Sequence, residues 1–373
     1  MRILSTGDWH FNAGYDDDVS DSVGQIINYT YKNNVDLVVI TGDIYERASD
    51  PDSRNLAIAC IQGLANKVPV IIVRGNHDAP GDLKLYNEIR SKYEIKVFEA
   101  PGFYKPTAIG SASVLIHVMP WLTKARWQSL HPEASKEEGD RTVSQMVLEF
   151  LRNNVLLHAG YKHILAGHMT IAGAKAQNRQ QLGADGVTLG MYDITEAGFY
   201  AAMLGHIHMK QYLNSDLEFY NGSVAALDYG ETPHKFFSVL DTETNEVEWQ
   251  QLNTIHRQDL TAHWTPQGIE FETYNPDTIR GARVRVNLRV EGGDNLAAAR
   301  EQIAIAMDTL GALEYKVNPQ VMPVSKVRAV DISRARSLSD KLKQYWIATG
   351  ASAYANTEDM LDKLAQLEDE CSL

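Results

Sequence analysis

Residues 35–43 read Val35-Asp36-Leu37-Val38-Val39-Ile40-Thr41-Gly42-Asp43. A short apolar run bounded by glycine reads as a buried strand. Glycine at its exit permits a sharp turn and close approach of backbone to a ligand, and Asp43 sets a carboxylate there. The pattern recurs four times. Ile3-Leu4 leads to Gly7-Asp8, Val68-Pro69-Val70-Ile71-Ile72-Val73-Arg74 to Gly75-Asn76, His163-Ile164-Leu165-Ala166 to Gly167-His168, and Ala201-Ala202-Met203-Leu204 to Gly205-His206. In layered α/β folds, sites gather beyond the carboxyl ends of strands, so five strand ends can deliver ligands to one place. Ser20 to Asn33 and Asp52 to Asn66 carry apolar residues at helical spacing, and this alternation of strands and helices over residues 1–100 predicts an α/β domain.

Further along, the runs at 217–220, 236–240 and 246–249 read as antiparallel strands, so the first domain is expected to end near residue 250. Arg283 to Val290 alternates cleanly, with Val284, Val286, Leu288 and Val290 on one face. Gly292-Gly293-Asp294 reads as a turn whose Asp294 caps a helix through about Leu310, and Glu314-Tyr315-Lys316-Val317 as a returning strand, a small β-α-β unit. The tail reads as two helices: Ser337-Leu338-Ser339-Asp340 is a capping box ahead of Leu342, Tyr345 and Trp346, and Gly350 ends that helix. Thr357-Glu358-Asp359 opens another with Met360, Leu361, Leu364 and Leu367 on one side. Three parts are expected: 1–250, 251–330 and 331–373.

Composition narrows the function. The chain has 373 residues, 44% hydrophobic and 22% charged, which excludes global disorder. Its 48 acids against 35 bases give a net charge of −13, which argues against holding nucleic acid by bulk positive charge. Two cysteines, Cys60 and Cys371, make no disulfide framework, which fits a reduced, cytoplasmic setting. The start lacks an apolar signal core, and no run approaches the ~18 apolar residues of a membrane span, so no membrane association is expected. No G-x-x-x-x-G-K-[ST] is present, so ATP is not bound here by a P-loop.

The chemistry-bearing residues cluster at the glycine exits. Asp8 and His10 lie two apart, and on an extended segment both side chains can reach one ion. Asp43 supplies a carboxylate that can bridge two cations. Asn76 and His77 supply an amide oxygen and an imidazole, and His168, His206 and His208 three more imidazoles. Mixed nitrogen and oxygen donors without thiolate suit manganese, iron or zinc. Shared by two ions ~3.5–4 Å apart, they fit a two-metal hydrolase of phosphate esters.

This ordered set resembles the calcineurin-like metallophosphoesterase superfamily, and within it the SbcD family, nuclease subunits of the complex that repairs DNA double-strand breaks. The resemblance covers residues 1–240 and includes Gly167-His168-Met169-Thr170-Ile171-Ala172-Gly173-Ala174, Leu204-Gly205-His206-Ile207-His208 and Tyr220-Asn221-Gly222-Ser223. It implies a four-layer α/β/β/α sandwich, followed by a capping domain and a helical segment that binds an ATPase. It implies that Asp8, His10 and His208 hold one metal ion, that Asp43 bridges, and that Asn76, His168 and His206 hold the second, most often manganese. His77 would be the general acid toward the leaving 3′ oxygen or would stabilise the phosphate, and Asp78 would orient His77. It also implies 3′-to-5′ exonuclease activity on duplex DNA and endonuclease activity on single strands and hairpins. A homodimer working with two SbcC-type coiled-coil ATPase subunits is implied too, with helices around 52–66 and 82–93 as dimer contacts. One departure stands out: archaeal members carry a second catalytic histidine where this chain has Glu46. Other readings are a nucleotide or cyclic-nucleotide phosphodiesterase, or a weakly active DNA-tethering scaffold. Against a protein phosphatase, Asp43 is followed by Ile44-Tyr45-Glu46-Arg47-Ala48 rather than x-x-Asp-Arg-Gly.

For contact with DNA, Arg283, Arg285 and Arg289 share one strand face and are expected to track phosphates, with Lys175 and Arg179 as further candidates. Leu342, Tyr345, Trp346, Met360, Leu361 and Leu364 are expected to dock on the ATPase as helix-in-groove contacts.

Overall fold

The computed structural model describes residues 1–107, 113–130, 143–177, 180, 186–231, 234–291, 295–322, 337–349 and 357–370. In chain order the strands are β1 (Arg2–Thr6), β2 (Leu37–Ile40), β3 (Val70–Val73), β4 (Ile95–Phe98), β5 (Gly102–Tyr104), β6 (Val114–Met119) and β7 (Lys162–His168). A short pair follows, β8 (Thr170–Ile171) and β9 (Thr188–Leu189), then β10 (Ala201–Gly205), β11 (Gln211–Tyr212), β12 (Glu218–Tyr220), β13 (Lys235–Asp241) and β14 (Glu246–Leu252). Two six-stranded sheets result, ordered β14-β13-β1-β2-β3-β4 and β11-β12-β10-β7-β6-β5.

The apolar runs are continuous because each strand buries both faces. On β2, Leu37 and Val39 join Ile3, Ile71, Ile116, Ile164 and Met203 in a core between the two sheets. Val38 and Ile40, on the other face, pack with Val19, Val23 and Ile26 of helix α1 (Asp16–Lys32) and Ile61 and Leu64 of helix α2 (Pro51–Ala65). The second sheet is covered likewise: Leu165, Ala202 and Leu204 meet Trp127 of α3 (Lys124–Leu130) and Val147 and Leu151 of α4 (Val143–Leu157). The layers therefore run α/β/β/α, as the resemblance implied. Each fully buried aliphatic side chain contributes about 1.5–3 kcal/mol. Asp50 caps α2 by accepting from the N–H groups of Asp52 and Ser53, with Pro51 opening the helix.

Two sequence expectations are corrected. β13 and β14 pair antiparallel, but β12 joins the second sheet, where it is antiparallel to β11 on one side and parallel to β10 on the other, with Met203 opposite Phe219. Phe219 is there drawn into the core between the sheets. At 82–93, only Asp82–Glu88 is helical, as a 3₁₀ segment.

The chain divides into two compact units, one of Met1–Leu260, Thr273–Val286 and Ala304–Val317, the other of Thr261–Glu272, Asn287–Ile303 and Asn318–Leu373. A four-stranded sheet ordered β16-β15-β17-β18 contains β15 (Arg257–Thr265), β16 (Gly268–Phe271), β17 (Arg283–Glu291) and β18 (Glu314–Met322). Val284, Val286, Leu288 and Val290 of β17 are all buried, as their alternation predicts. A helix spans Leu296–Leu310, and two more span Leu338–Thr349 and Thr357–Glu370. Ser337 Oγ accepts from the Asp340 N–H at 3.0 Å, one half of the expected capping box. The turn at 292–294 and Gly350 lie outside the described residues. No described helix is long and apolar enough to cross a membrane.

Candidate metal centre and active site

All five glycine-bounded strand ends converge on one centre. β1, β2 and β3 are parallel neighbours, so Asp8, Asp43 and Asn76-His77 leave the same edge of one sheet. β7 and β10 are parallel neighbours in the other, with His168 opposite Gly205. The turns are tight. Among the described residues, five non-glycine residues have positive φ, and four of them are Asp8, His10, Asp43 and His206. Such backbone costs of order 1–3 kcal/mol each and persists where surrounding structure holds it. Asp8 N–H donates to Gly42 O at 2.9 Å, and Trp9 and His10 N–H both donate to Asp43 O at 2.9 and 3.0 Å, which locks the first two loops together. Gly75 is required by close approach, since a Cβ there would collide with both the carboxylate and the backbone nitrogen of Asp43.

Asp43 stands at the centre. Its Oδ2 lies 3.3 Å from His168 Nε2 and 3.7 Å from His10 Nε2, and its Oδ1 accepts from the His77 N–H at 2.8 Å. Asn76 Oδ1 lies 2.9 Å from both His168 Nε2 and His206 Nδ1. Asp8 Oδ1 accepts from the His206 N–H at 2.9 Å. His168 Nδ1 is 2.7 Å from Thr41 O. A carbonyl only accepts, so Nδ1 donates there and Nε2 is the nitrogen that faces the two oxygens of Asp43 and Asn76. By the same logic His10 Nδ1 donates to Glu46 Oε2 at 2.7 Å, which turns Nε2 toward Asp43.

That arrangement calls for cations. Asp8 Oδ2, His10 Nε2 and His206 Nε2 are buried and have no hydrogen-bond partner. The ligand atoms of Asp8, His10 and His208 lie within 4.8 Å of one another, as do those of Asp8, Asp43 and His168, and of His10, Glu46 and His77. Burial pushes the Asp8 carboxyl up to about 6, with the Asp43 charge adding to it. Burial and the neighbouring His168 push His206 down to about 3. His168 goes the other way: burial alone would lower it, but Asp43 and Asp8 hold it up at about 9. Orphaned acceptors around desolvated carboxylates are what divalent cations satisfy.

All seven expected ligands thus converge, with His208's ring 4.7 Å from that of His10. His77 is half-exposed and lines a cleft of about 670 Å³ together with His10, Asn76, His206 and His208. The expectation that Asp78 orients His77 is corrected. Asp78 is buried and its two oxygens accept from the N–H groups of Gly75 (2.8 Å) and Tyr45 (3.1 Å), so it braces the loops. His77 Nδ1 instead meets Glu46 O at 2.7 Å. Glu46 therefore touches His10 through its carboxylate and His77 through its carbonyl.

Sequence reasoning missed several supporting groups. Trp121 is buried with its ring 4.7 Å from that of His206. Gln180 donates to His206 O at 2.5 Å and accepts from the His208 N–H at 3.2 Å. Glu231 lies 4.0 Å from His208 Nδ1 and pairs with buried Lys235 at 2.6 Å. None carries a local motif; a search for polar side chains near the Gly-His-x-His loop would have needed the fold.

The expected phosphate-tracking arginines are already matched to carboxylates. Arg283 bonds Asp18 and lies 3.1 Å from Glu314, Arg285 grips Asp259 through two 2.6 Å bonds, and Arg289 lies 3.4 Å from Glu272. Arg283 and Arg285 are also largely covered, so the stripe is not a free cationic surface. Lys175 is exposed; Arg179 lies outside the described residues. In the tail, Tyr345 and Met360 are exposed, Leu342, Leu361 and Leu364 are half-buried, and Trp346 is buried on its own chain rather than presented outward.

Residues 1–210 match the family described as calcineurin-like phosphoesterase, and the chain belongs to that family. Its members are hydrolases that use divalent metal ions. Among individual proteins, the chain is similar to the D subunit of the nuclease SbcCD from Staphylococcus epidermidis, with 24% identity over 270 residues, 66% of this chain and 67% of that one. The protein of the same name in Staphylococcus saprophyticus is 23% identical over 270 residues, with the same shares. Solved structures that it resembles include TT1561 of Thermus thermophilus, with 14% identity and a TM-score of 0.39 over 67% of this chain and 98% of that one. Another is the purple acid phosphatase PPD1 of yellow lupin, with 14% identity and a TM-score of 0.40 over 69% and 54%.

Proposed function

We propose that the chain is a manganese-dependent DNA nuclease subunit that works with an SbcC-type coiled-coil ATPase in DNA repair and recombination. The observation that carries this reading is the set of three buried, unpartnered ligand atoms, Asp8 Oδ2, His10 Nε2 and His206 Nε2, around Asp43 and Asn76. Asp8, His10 and His208 would hold one ion, Asn76, His168 and His206 the other, and Asp43 would bridge. When bound, the two cations supply Lewis acidity toward the phosphate. The chain's own residues do the rest. The Glu46 carboxylate fixes His10 with Nε2 free to ligate, and Asn76 and Asp43 hold their oxygens toward His168. The Glu46 carbonyl anchors His77 through Nδ1–H, so Nε2 is the nitrogen left to protonate the leaving 3′ oxygen.

In the same reading, residues 1–250 are the nuclease domain, 251–330 a capping domain and 331–373 the ATPase-binding segment. The protein works in the cytoplasm as a dimer within a heterotetramer. With a net charge of −13, the grip on DNA comes chiefly from the metal centre and the partner. The test is cleavage of labelled duplex and hairpin DNA with manganese or magnesium, with and without the ATPase and ATP. His77→Ala should lower kcat about 10²–10⁴-fold while the metal content, measured by mass spectrometry, stays. Undiminished activity in that variant removes the acid role. Hydrolysis of a small phosphodiester without any cleavage of DNA overturns the nuclease reading.

A further inference from the structure

His77 and Asn76 line two clefts, not one. Beyond the 670 Å³ cleft of the metal centre, a second of about 530 Å³ runs past the same two residues to Trp121, Thr123 and Arg126, with Glu99 also on its wall. Each cleft carries one exposed arginine. Arg47 lines the first, directly after Glu46, and Arg126 lines the second. Among the described residues, neither guanidinium has a hydrogen bond or a carboxylate partner, in contrast to Arg283, Arg285 and Arg289. Arg126 also lies near enough to buried Arg74 for the two like charges to oppose each other. Arg74 is spent on the carbonyls of Gly75, Asp78 and Trp121. Arg126 is not spent in this way.

We infer that Arg47 and Arg126 bind the backbone phosphates on the two sides of the scissile bond, so that the site takes an internal phosphodiester of a polynucleotide rather than a terminal or mononucleotide ester. This rests on the nuclease reading and names its substrate. A phosphodiester held at His77 and Asn76 has chain leaving in both directions, and each direction has a cleft lined by a guanidinium that makes no hydrogen bond or ion pair among the described residues. Arginine suits the task because its planar fork binds phosphate oxygens in pairs. Such contacts also explain how an acidic chain can hold DNA locally.

The experiment uses the full chain with manganese and a labelled single-stranded oligonucleotide. In Arg47→Ala and in Arg126→Ala, KM should rise roughly three- to tenfold with kcat little changed, and each variant should flatten the logarithmic salt dependence of binding by about 0.7. Oligonucleotides with one neutral methylphosphonate, either 5′ or 3′ to the cleaved bond, assign the sides. Removing the charge on one side should cost the wild type affinity and cost nothing further in the arginine variant that serves that side. The other arginine should pair in the same way with the opposite methylphosphonate, and Arg47→Lys should recover part of the loss. A wild type that hydrolyses bis(p-nitrophenyl) phosphate but leaves the oligonucleotide whole overturns the nuclease reading and this subsite with it. A wild type that cuts the oligonucleotide, with both variants keeping its KM and losing the same amount to either methylphosphonate, overturns the two-sided subsite alone.

Discussion

Breaking the buried pair between Lys235 and Glu231 tests how the site is supported. Both side chains are almost fully covered, at 1% and 4% exposure, and lie 2.6 Å apart. Lys235 Nζ also donates to Ser223 Oγ at 2.8 Å. Burial alone would raise the Glu231 carboxyl, yet His208 and Lys235 together hold it down at about 2. The His208 contact is 4.0 Å, the carboxylate also accepts from the N–H groups of Leu227 and Asp228 at 3.3 and 3.2 Å, and the Lys235 ammonium is its nearest charged partner. A fall from an ordinary 4.5 to about 2 corresponds to about 3 kcal/mol at neutral pH. Breaking a buried pair on one side costs about 3–5 kcal/mol by a separate route, because the remaining charge is stranded.

Lys235→Met should therefore destabilise the metal-free protein by about 3 kcal/mol at pH 7, or about 6–12 °C in the first thermal transition. Because the chain has two compact units, the first transition is the quantity to follow rather than a single global midpoint. Glu231→Gln with Lys235→Met removes both charges and should recover much of the loss, giving a coupling of about 2–3 kcal/mol. The pH sign follows: with its folded pKa depressed, Glu231 contributes stability above about 4.5 that is lost as pH falls toward about 2. The single variant's penalty should accordingly shrink in acid. A loss under about 1 kcal/mol, or strictly additive single and double variants, would refute the reasoning.

Other outcomes are expected. Manganese at one hundred times its dissociation constant should stabilise the protein by about 3 kcal/mol, and Asp43→Ala should abolish that thermal shift; an undiminished shift in the variant would place the ions elsewhere. Glu46→Ala removes the carboxylate 2.7 Å from His10 Nδ1 and should weaken metal affinity about 10–100-fold by calorimetry. Unchanged affinity there would reduce Glu46 to a surface residue. Burial and its neighbour His163, 2.8 Å away, push His117 down to about 3. Its neutral form should stabilise the fold above about pH 6.5, and that contribution should drain away as pH falls toward about 3. His117→Gln should flatten the stability slope between pH 6.5 and 4.5, and an identical slope would exclude the pair as its source.

Why some of the site was legible and some was not can be seen at single residues. Gly42-Asp43 and Gly75-Asn76 announce themselves because an apolar run, a glycine and a ligand are adjacent in the chain, and adjacency survives folding. The alternation of Val284, Val286, Leu288 and Val290 is equally local, and all four are buried. Asp78 was misread for the opposite reason. Its proximity to His77 in the chain suggested contact, whereas the turn carries its carboxylate to the N–H groups of Gly75 and Tyr45. Arg283 and Arg285 look like a free stripe until Asp18 and Asp259, distant in sequence, arrive beside them.

By itself the sequence determined the strand exits, the donor types that they carry and therefore the class of chemistry, because each is written within a few consecutive residues. Only the tertiary structure decided the partners. It set Asn76 Oδ1 between His168 and His206, left-handed backbone at Asp8, His10, Asp43 and His206, Trp121 beside His206, and Gln180 across the last histidine loop. These depend on which strands become neighbours and how closely their ends approach, and that follows from the packing of two sheets over one shared core.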